Sequence, residues 1–200
     1  MGSCCCKSKE VEEEISRKIS VVGNGEVGKT CLIKRYLTDE FDEDTPHSYI
    51  PSALQVDEKV EELKNGKKVH LFIYDLGGRD TFKHLTRMNY PRSDAALICF
   101  GIDDKESLKA VKEYWIPEMI RICPGIPILL VGLKKDKRDE TRTIENFVRE
   151  SDGHSLAKSN NLVGYVECSS LKGDGVKTVF ATIAREAAKR QNTQKAAESV

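Results

Sequence analysis

The sequence predicts an α/β fold built on a six-stranded, mostly parallel sheet. Three observations lead to this prediction. Short apolar runs alternate with helical patterns from residue 18 onward, an Asn-Gly pair separates two strand-like runs, and 200 residues are enough for one domain with its own core. We therefore expect a polar tail over residues 1–17, one domain over residues 18–190 and a second polar tail over residues 191–200.

The predicted strands are short runs rich in Val, Ile, Leu, Phe and Cys, as expected for strands that are covered on both faces. Asn65-Gly66 suits a two-residue hairpin turn, so the strands on either side of it should be antiparallel and lie at an edge of the sheet. The predicted strands span residues 18–23, 56–63, 67–75, 94–102, 126–133 and 163–170.

Helical patterns fill the intervals between these strands. The last pattern is the clearest, because its apolar residues recur at the spacing of one helix face. That face consists of Val176, Val179, Phe180, Ile183, Ala184 and Ala187. The other helical patterns cover residues 28–38, 81–89, 105–121 and 141–160.

Composition limits the classes of function. Lys and Arg together number 32, as do Asp and Glu, and this zero net charge gives no reason to expect a nucleic-acid partner. No apolar run approaches the roughly 18–20 residues that a membrane span needs. The first fifteen residues lack the apolar segment of a secretory signal, so the seven cysteines are expected in a reducing compartment.

Residues 23–30, GNGEVGKT, match the pattern G-x-x-x-x-G-K-T between the first predicted strand and the first predicted helix. Glycines in such a loop let backbone N–H groups turn inward around phosphate oxygens, and the helix N-terminus adds a positive dipole. We expect Lys29 to reach the β- and γ-phosphates and the Thr30 hydroxyl to bind Mg²⁺. A glycine turn with a surface lysine is the alternative. The expected nucleotide contacts here are Gly25, Glu26, Val27, Gly28, Lys29, Thr30 and Cys31.

Asp75 ends the third predicted strand, at the place where an acidic residue supports the magnesium of a phosphate-loop protein. The alternative is an ordinary aspartate that starts a turn after a strand. The neighbouring phosphate loop favours the magnesium role.

Residues 133–136, LKKD, follow the fifth predicted strand and predict a site for a guanine base. The Asp136 carboxylate can accept hydrogen bonds from the ring N–H and the amine of guanine, a donor pair that adenine lacks. The stem of Lys134 can cover the face of the base. At the end of the sixth strand, Ser169 and the N–H groups of Ser170 and Leu171 are expected close to the guanine.

Taken in order, these motifs resemble the Ras superfamily of small GTPases, and more closely its Rho/Rac branch, over residues 18–188. The runs YIPS (49–52), WIPEM (115–119) and ECSSLK (167–172) match that branch. The resemblance implies a P-loop NTPase fold, with about five helices around the six-stranded sheet. It also implies bound GTP or GDP with Mg²⁺, and two mobile switch segments.

The resemblance further assigns roles by position. It implies that Phe41 packs across the guanine, that Ser52 binds Mg²⁺ in the GTP state, and that Asp75 holds Mg²⁺ through water. Gly78 would donate its N–H to the γ-phosphate. The catalytic residues are then Lys29, Gly78 and Arg79.

Arg79 is the main departure from the family's sequence pattern. Where the family has Asp-Thr-Ala-Gly-Gln-Glu, this chain has DLGGRD, so Arg79 replaces the glutamine that orients the attacking water. Arginine has five N–H donors and no acceptor, so it cannot accept a hydrogen bond from that water. We expect slow intrinsic hydrolysis and poor stimulation by an activating protein. Alternatively, Arg79 lies on a solvated loop and another group orients the water.

Other departures affect affinity and partners. Ser52 lacks the methyl group of the family's threonine. The segment from Phe41 to Ser52 is longer than in typical Rho proteins. This extra length is either harmless surface variation or a contact with a different effector. Leu133 replaces a polar residue that ties the base motif to the phosphate loop, so affinity should fall while guanine preference survives. Residues 137–162 are shorter than the Rho insertion, so partners that bind that insertion should be lost.

The amino terminus, MGSCCCKSKE, suggests a lipid anchor. Gly2 would accept a myristoyl group after removal of Met1, and the cysteine triplet suits palmitoylation, which would make anchoring stable. No C-a-a-X cysteine is present at the carboxyl end. We expect the cytoplasmic face of a membrane, with a cytosolic pool; a metal-binding or oxidation-prone tail is the alternative. The lipidation candidates are Gly2, Cys4, Cys5 and Cys6.

The leading hypothesis is a Rho/Rac-like GTP/GDP switch with low GTPase activity. The branch that the chain resembles implies a role in cytoskeleton-related signalling. Its partners would be effectors that bind segments 41–57 and 76–91, an exchange factor and an activating protein. A GTP-loaded scaffold with negligible turnover is the main alternative. An ATP-using kinase is a third, which Asp136 disfavours.

Overall fold

The computed structural model describes residues 15–41, 53–140 and 147–190. Within them, six strands form one sheet in the order β2-β3-β1-β4-β5-β6. The strands are β1 (Ile15–Gly23), β2 (Leu54–Glu62), β3 (Lys68–Leu76), β4 (Ala95–Gly101), β5 (Ile128–Leu133) and β6 (Gly164–Glu167).

The pairing of the strands confirms the predicted sheet. β2 and β3 are antiparallel and every other neighbouring pair is parallel. The hairpin between β2 and β3 turns at Asn65-Gly66, but its loop has three residues and not the predicted two. Leu63 donates its N–H to the Lys67 carbonyl at 2.8 Å, and Gly66, with a φ of 79°, donates its N–H to the Leu63 carbonyl at 2.8 Å. Because the remaining strands are parallel, their carboxyl ends meet at one edge of the sheet.

Helices cover both faces of the sheet, as the alternating pattern predicts. In the part of the chain that the structure describes, no helix is both long and apolar enough to cross a membrane. The helices are α1 (Lys29–Thr38), α2 (Lys83–Met88), α3 (Lys105–Ala110, a π-helical turn Val111–Trp115 and Ile116–Ile122), α4 (Lys135–Glu140), α5 (Glu150–Ser159) and α6 (Val176–Ala188).

The core lies in two layers. One layer packs α1 and α6 against the sheet, and the other packs α3 and α5 against the opposite face. All six residues of the predicted apolar face of α6 are buried, which confirms that its 3.6-residue periodicity marks a packed surface. Tyr36 of α1 stacks on Phe180 of α6 with their ring centroids 3.7 Å apart.

Several element boundaries differ from the prediction. β1 begins at Ile15, three residues earlier, because Ile15 pairs with Val69 of β3. The helix predicted over residues 141–160 begins at Glu150; residues 141–146 lie outside the described residues, and Val148 is instead buried and donates its N–H to the Ile102 carbonyl at 2.9 Å.

α4 lies where the sequence analysis expected a loop. All six of its residues are charged, so they show no apolar periodicity that would predict a helix. Contacts with distant residues hold it in place. Lys135 donates its N–H to the Cys168 carbonyl at 3.1 Å, and Arg138 Nη1 donates to Glu167 Oε1 at 2.9 Å.

Candidate functional site

The glycine-rich loop of residues 23–30 connects β1 to α1 at the carboxyl edge of the sheet. Its backbone has φ values of 142° at Gly23, 63° at Glu26 and 107° at Gly28. Gly28 is the N-cap residue of α1. A Cβ atom on Gly23 would lie 2.1 Å from the Cys99 carbonyl oxygen. The tight turn therefore depends on glycine at this position, as the motif predicts.

Lys29 is enclosed by this loop, with only 6% of its surface exposed. Its Nζ donates hydrogen bonds to the carbonyl oxygens of Gly23 at 2.9 Å and Asn24 at 2.6 Å. Burial lowers the pKa of Lys29, and the nearby Asp75 carboxylate opposes that shift. The ammonium group is thus held inside the turn that is predicted to surround phosphates.

Thr30 and Asp75 are in contact next to the phosphate loop. Thr30 Oγ1 donates a hydrogen bond of 2.5 Å to Asp75 Oδ2, which joins the start of α1 to the end of β3. Burial raises the pKa of Asp75, while the hydrogen bond from Thr30 and the charge of Lys29 lower it. Hydroxyl and carboxylate oxygens are ligands that Mg²⁺ prefers, so this pair fits the predicted magnesium site.

The segment after β3 packs directly on the loop. A Cβ atom on Gly78 would lie 2.1 Å from the Gly23 carbonyl oxygen and 2.6 Å from that of Asn24. Only a residue without a side chain fits there. The backbone of Gly78 is therefore beside the loop, as its predicted contact with a γ-phosphate requires.

Arg79 extends over the same loop. Its Nη2 lies 3.2 Å from Glu26 Oε1, and a Cβ atom on Gly25 would lie 3.2 Å from its Cγ. The Arg79 side chain is 52% exposed, and its ion pair with Glu26 places it beside the predicted phosphate site.

The predicted base-binding residues come together at the ends of β5 and β6. Ser169 Oγ donates a hydrogen bond of 2.5 Å to Asp136 Oδ1, and it accepts one of 3.0 Å from the Lys172 N–H. Lys134 has a φ of 63°, and its Nζ lies 3.5 Å from Asp103 Oδ2. Ser170 is half-buried and Leu171 is exposed in the turn that follows β6.

Leu133 is fully buried between this region and the phosphate loop. A Cβ atom on Gly28 would lie 3.7 Å from Leu133 Cδ1, which is ordinary van der Waals contact. An apolar side chain thus lies beside Gly28 of the phosphate loop, at the position where the resemblance implies a polar residue.

The remaining predicted residues divide into two groups. Val27 is buried in the core, Cys31 is half-buried with a thiol pKa raised by burial, and Phe41 is half-buried beyond the end of α1. The others lie outside the described residues; they are Ser52, Gly2, Cys4, Cys5 and Cys6.

The structure adds residues that the sequence analysis did not single out. Trp115 Nε1, in the π-helical turn of α3, donates a hydrogen bond of 2.7 Å to Asn24 Oδ1. Asn24 is a variable position of the motif, and its partner lies 91 residues away, so no local pattern links them. Asp103 is a second such residue: it pairs with both Lys134 and Lys137 and so supports the base-binding loop.

Comparisons with known proteins agree with this geometry. A sequence profile of the Ras family matches residues 18–189. The chain is 37% identical over 186 residues to the GTP-binding protein RHO1 of Saccharomyces cerevisiae, an alignment that covers 89% of this chain and 86% of the relative. It is 35% identical over 185 residues to the Rho-related GTP-binding protein RhoB of Homo sapiens, covering 88% of this chain and 91% of the relative, and the same values hold for RhoB of Mus musculus. The chain therefore belongs to the Ras family and is a Rho-like small GTPase.

Proposed function

We propose that this protein is a guanine-nucleotide switch that binds GTP and GDP with Mg²⁺ and hydrolyses GTP slowly. The observation that carries the proposal is the convergence of Lys29, the Thr30–Asp75 pair and the Gly78 backbone on one loop. These groups come from α1, from β3 and from the segment after β3, and each has a chemical role toward a triphosphate.

In this proposal the loop N–H groups and Lys29 hold the phosphates, and Thr30 and Asp75 hold Mg²⁺. Bound Mg²⁺ would neutralise charge on the phosphate oxygens. Lys29 stabilises the charge that develops during phosphoryl transfer, and Gly78 orients the γ-phosphate through its N–H. No covalent intermediate with the protein is needed.

The base would bind between Lys134 and the turn after β6. The Asp136 carboxylate is held by Ser169, so it is oriented before the base arrives. That arrangement supports a preference for guanine over adenine, because only guanine presents two adjacent donors to a carboxylate.

Slow hydrolysis follows from Arg79. Its guanidinium group has N–H donors but no acceptor, so it cannot accept a hydrogen bond from the attacking water. The charge of Arg79 can still stabilise phosphate oxygens, but it does not orient the nucleophile.

Single-turnover hydrolysis of bound GTP tests this proposal. We expect Arg79→Gln to hydrolyse GTP roughly tenfold or more faster than the wild type, since a positioned polar group typically contributes at least that much. Arg92→Gln is the control, because Arg92 is exposed near the start of β4, at the opposite edge of the sheet. Equal rates for the wild type and Arg79→Gln would refute the assigned effect of Arg79.

A scaffold that remains loaded with GTP is the second candidate, and Arg79 together with the apolar Leu133 favours it. The nucleotide content of the purified protein separates the two. Mostly GTP supports the scaffold, whereas mostly GDP supports a cycling enzyme.

We further propose that effectors bind segments 41–57 and 76–91 when GTP orders them, and that an exchange factor and an activating protein control the cycle. The exposed side chains of Leu85 and Met88 on α2 support an interaction surface in the second segment. The likeness to Rho proteins is what supports a cytoskeleton-related role.

Membrane attachment through Gly2 and the cysteines at positions 4–6 is the last part of the proposal. β1 runs for nine residues from Ile15 to the phosphate loop, a distance of about 26 Å. An anchored tail before Ile15 would therefore leave the nucleotide site accessible. Membrane fractionation of the wild type and Gly2→Ala tests the anchor, and an unchanged distribution would count against it.

A further inference from the structure

The predicted phosphate loop contains a carboxylate. Glu26 lies between Gly25 and Val27, and its charge would repel a bound phosphate group. Its backbone has a φ of 63°, a left-handed conformation that disfavours residues with a side chain. Glu26 is thus unfavourable at this position both for its charge and for its backbone, unless another group compensates.

Arg79 compensates for the charge of Glu26, but not for its backbone conformation. The ion pair between Arg79 Nη2 and Glu26 Oε1 is 3.2 Å long, and the stem of Arg79 lies close to Gly25. The two side chains are 52% and 84% exposed, so the pair is weak and either partner can exchange it for another at little loss of free energy.

The adjacent residue determines what Arg79 can reach. Gly78 is packed against the carbonyl oxygens of Gly23 and Asn24, so its neighbour Arg79 emerges directly above the loop. A γ-phosphate held by this loop would be an anion within reach of the guanidinium group, and it would compete with the Glu26 carboxylate.

We propose that Glu26 and Arg79 form an exchangeable charge pair that sets the relative affinity for GTP and GDP. Arg79 pairs with Glu26 when GDP is bound, and it moves to the γ-phosphate when GTP is bound. Glu26 therefore lowers the affinity for GTP relative to GDP, because GTP must displace it from Arg79. This inference rests on the proposed nucleotide binding.

The proposal predicts that the effect of Glu26 depends on Arg79. When Arg79 is present, replacing Glu26 removes a competitor for the Arg79 guanidinium group and also a charge that repels the γ-phosphate. In an Arg79→Gln background it removes only the repulsion, which solvent screens at such an exposed site. We expect Glu26→Gln to raise the ratio of GTP to GDP affinity about three- to fivefold with Arg79 present and less than about twofold without it.

The experiment measures dissociation constants for GDP and for a non-hydrolysable GTP analogue, in Mg²⁺, for the wild type, both single variants and the double variant. Asp39→Asn is the control, because Asp39 forms an exposed ion pair of the same 3.2 Å length with Lys177 beyond the end of α1. This control should leave the ratio unchanged. The GDP constants also report whether each variant is folded.

The possible failures are distinguishable. If the wild type binds neither nucleotide, the proposed function fails and this inference fails with it. If both nucleotides bind, but Glu26→Gln changes the ratio equally in both backgrounds or not at all, the charge pair is not exchanged and this inference alone is overturned.

Discussion

The Ser169 hydroxyl donates a hydrogen bond of 2.5 Å to Asp136 Oδ1, and this contact joins the loops that follow β5 and β6. Both side chains are buried, with 8% of Asp136 and 1% of Ser169 exposed. Ser169 is itself fixed by the Lys172 N–H. The carboxylate that is proposed to select guanine is therefore held in one orientation by its neighbours.

Removal of that contact should weaken nucleotide binding. Ser169→Ala leaves one oxygen of a buried carboxylate without its partner, an effect of about 1–3 kcal/mol, so we expect the dissociation constant for GDP to rise about fivefold or more. Ser159→Ala is the control, since the Ser159 hydroxyl bonds only within the exposed end of α5 in its described contacts. Unchanged GDP affinity in Ser169→Ala would show that Ser169 does not position Asp136.

Gly78→Ala tests the contact between the segment after β3 and the phosphate loop. The added Cβ would lie 2.1 Å from the Gly23 carbonyl oxygen, so the segment must move away. We expect the affinity for a GTP analogue to fall about tenfold, and that for GDP to fall less, because only GTP is proposed to bind the Gly78 N–H. Gly164→Ala is the control: no atom lies within 4 Å of the corresponding Cβ. Equal losses for both nucleotides would contradict the assigned role of Gly78.

The hydrogen bond from Trp115 to Asn24 should stabilise the phosphate loop. Trp115→Phe keeps an aromatic ring in the core but removes the N–H that donates to Asn24 Oδ1, a loss of about 1 kcal/mol. We expect GDP to dissociate about threefold to tenfold faster. Tyr114→Phe removes a neighbouring hydroxyl that contacts Arg87 instead, and it should leave the rate unchanged. If both variants release GDP at the wild-type rate, the loop does not depend on this bond.

The pH dependence of magnesium binding follows from Asp75. Burial raises the pKa of Asp75 above its ordinary value of 3.8, and a carboxylate must be ionised to bind a metal. Magnesium-dependent retention of GDP should therefore weaken as the pH falls, beginning at a pH above 3.8. The same shift means that charged Asp75 opposes folding of the nucleotide-free protein above its folded-state pKa, and that this penalty disappears as the pH falls toward the unfolded value.

The measurement for Asp75 is the rate of GDP release at several magnesium concentrations and pH values. Asp75→Asn should remove the pH dependence together with most of the magnesium dependence, and it should raise the free energy of unfolding of the nucleotide-free protein at neutral pH. Asp174→Asn, at an exposed aspartate paired with Lys135, is the control. A pH profile that is identical in the wild type and Asp75→Asn would assign the titration to another group.

The sequence predicts those features of the fold that depend on local patterns. The face of α6 from Val176 to Ala187 and the position of the hairpin at Asn65-Gly66 were predicted correctly, because helix periodicity and turn chemistry are properties of neighbouring residues. The predicted loop length of two residues was wrong, since the loop has three. The glycine-rich motif likewise predicted that residues 23–30 connect the first strand to the first helix. The mostly parallel sheet with one antiparallel edge strand followed from the alternation of strands and helices and from the Asn-Gly pair, whereas the order of the strands comes from the structure.

Other features depend on contacts between distant residues. α4 is a charged segment that is held by the contact of Arg138 with Glu167, and no apolar pattern marks it. The Arg79–Glu26 pair joins residues 53 positions apart, and both partners occupy positions that the motifs leave variable or that depart from the family. Local sequence patterns do not predict such pairs, which are found only from the three-dimensional arrangement of the loops.

The central claim is that the loop around Lys29 binds a guanine nucleotide whose base is selected by Asp136. Calorimetric titration of the nucleotide-free protein with GDP, GTP and ATP in Mg²⁺ tests it most directly. We predict binding of one GDP or GTP per chain, more tightly than about 1 μM, with ATP much weaker and with binding lost in Lys29→Ala. Absence of GDP and GTP binding at micromolar concentrations, or tighter binding of ATP, would contradict the account.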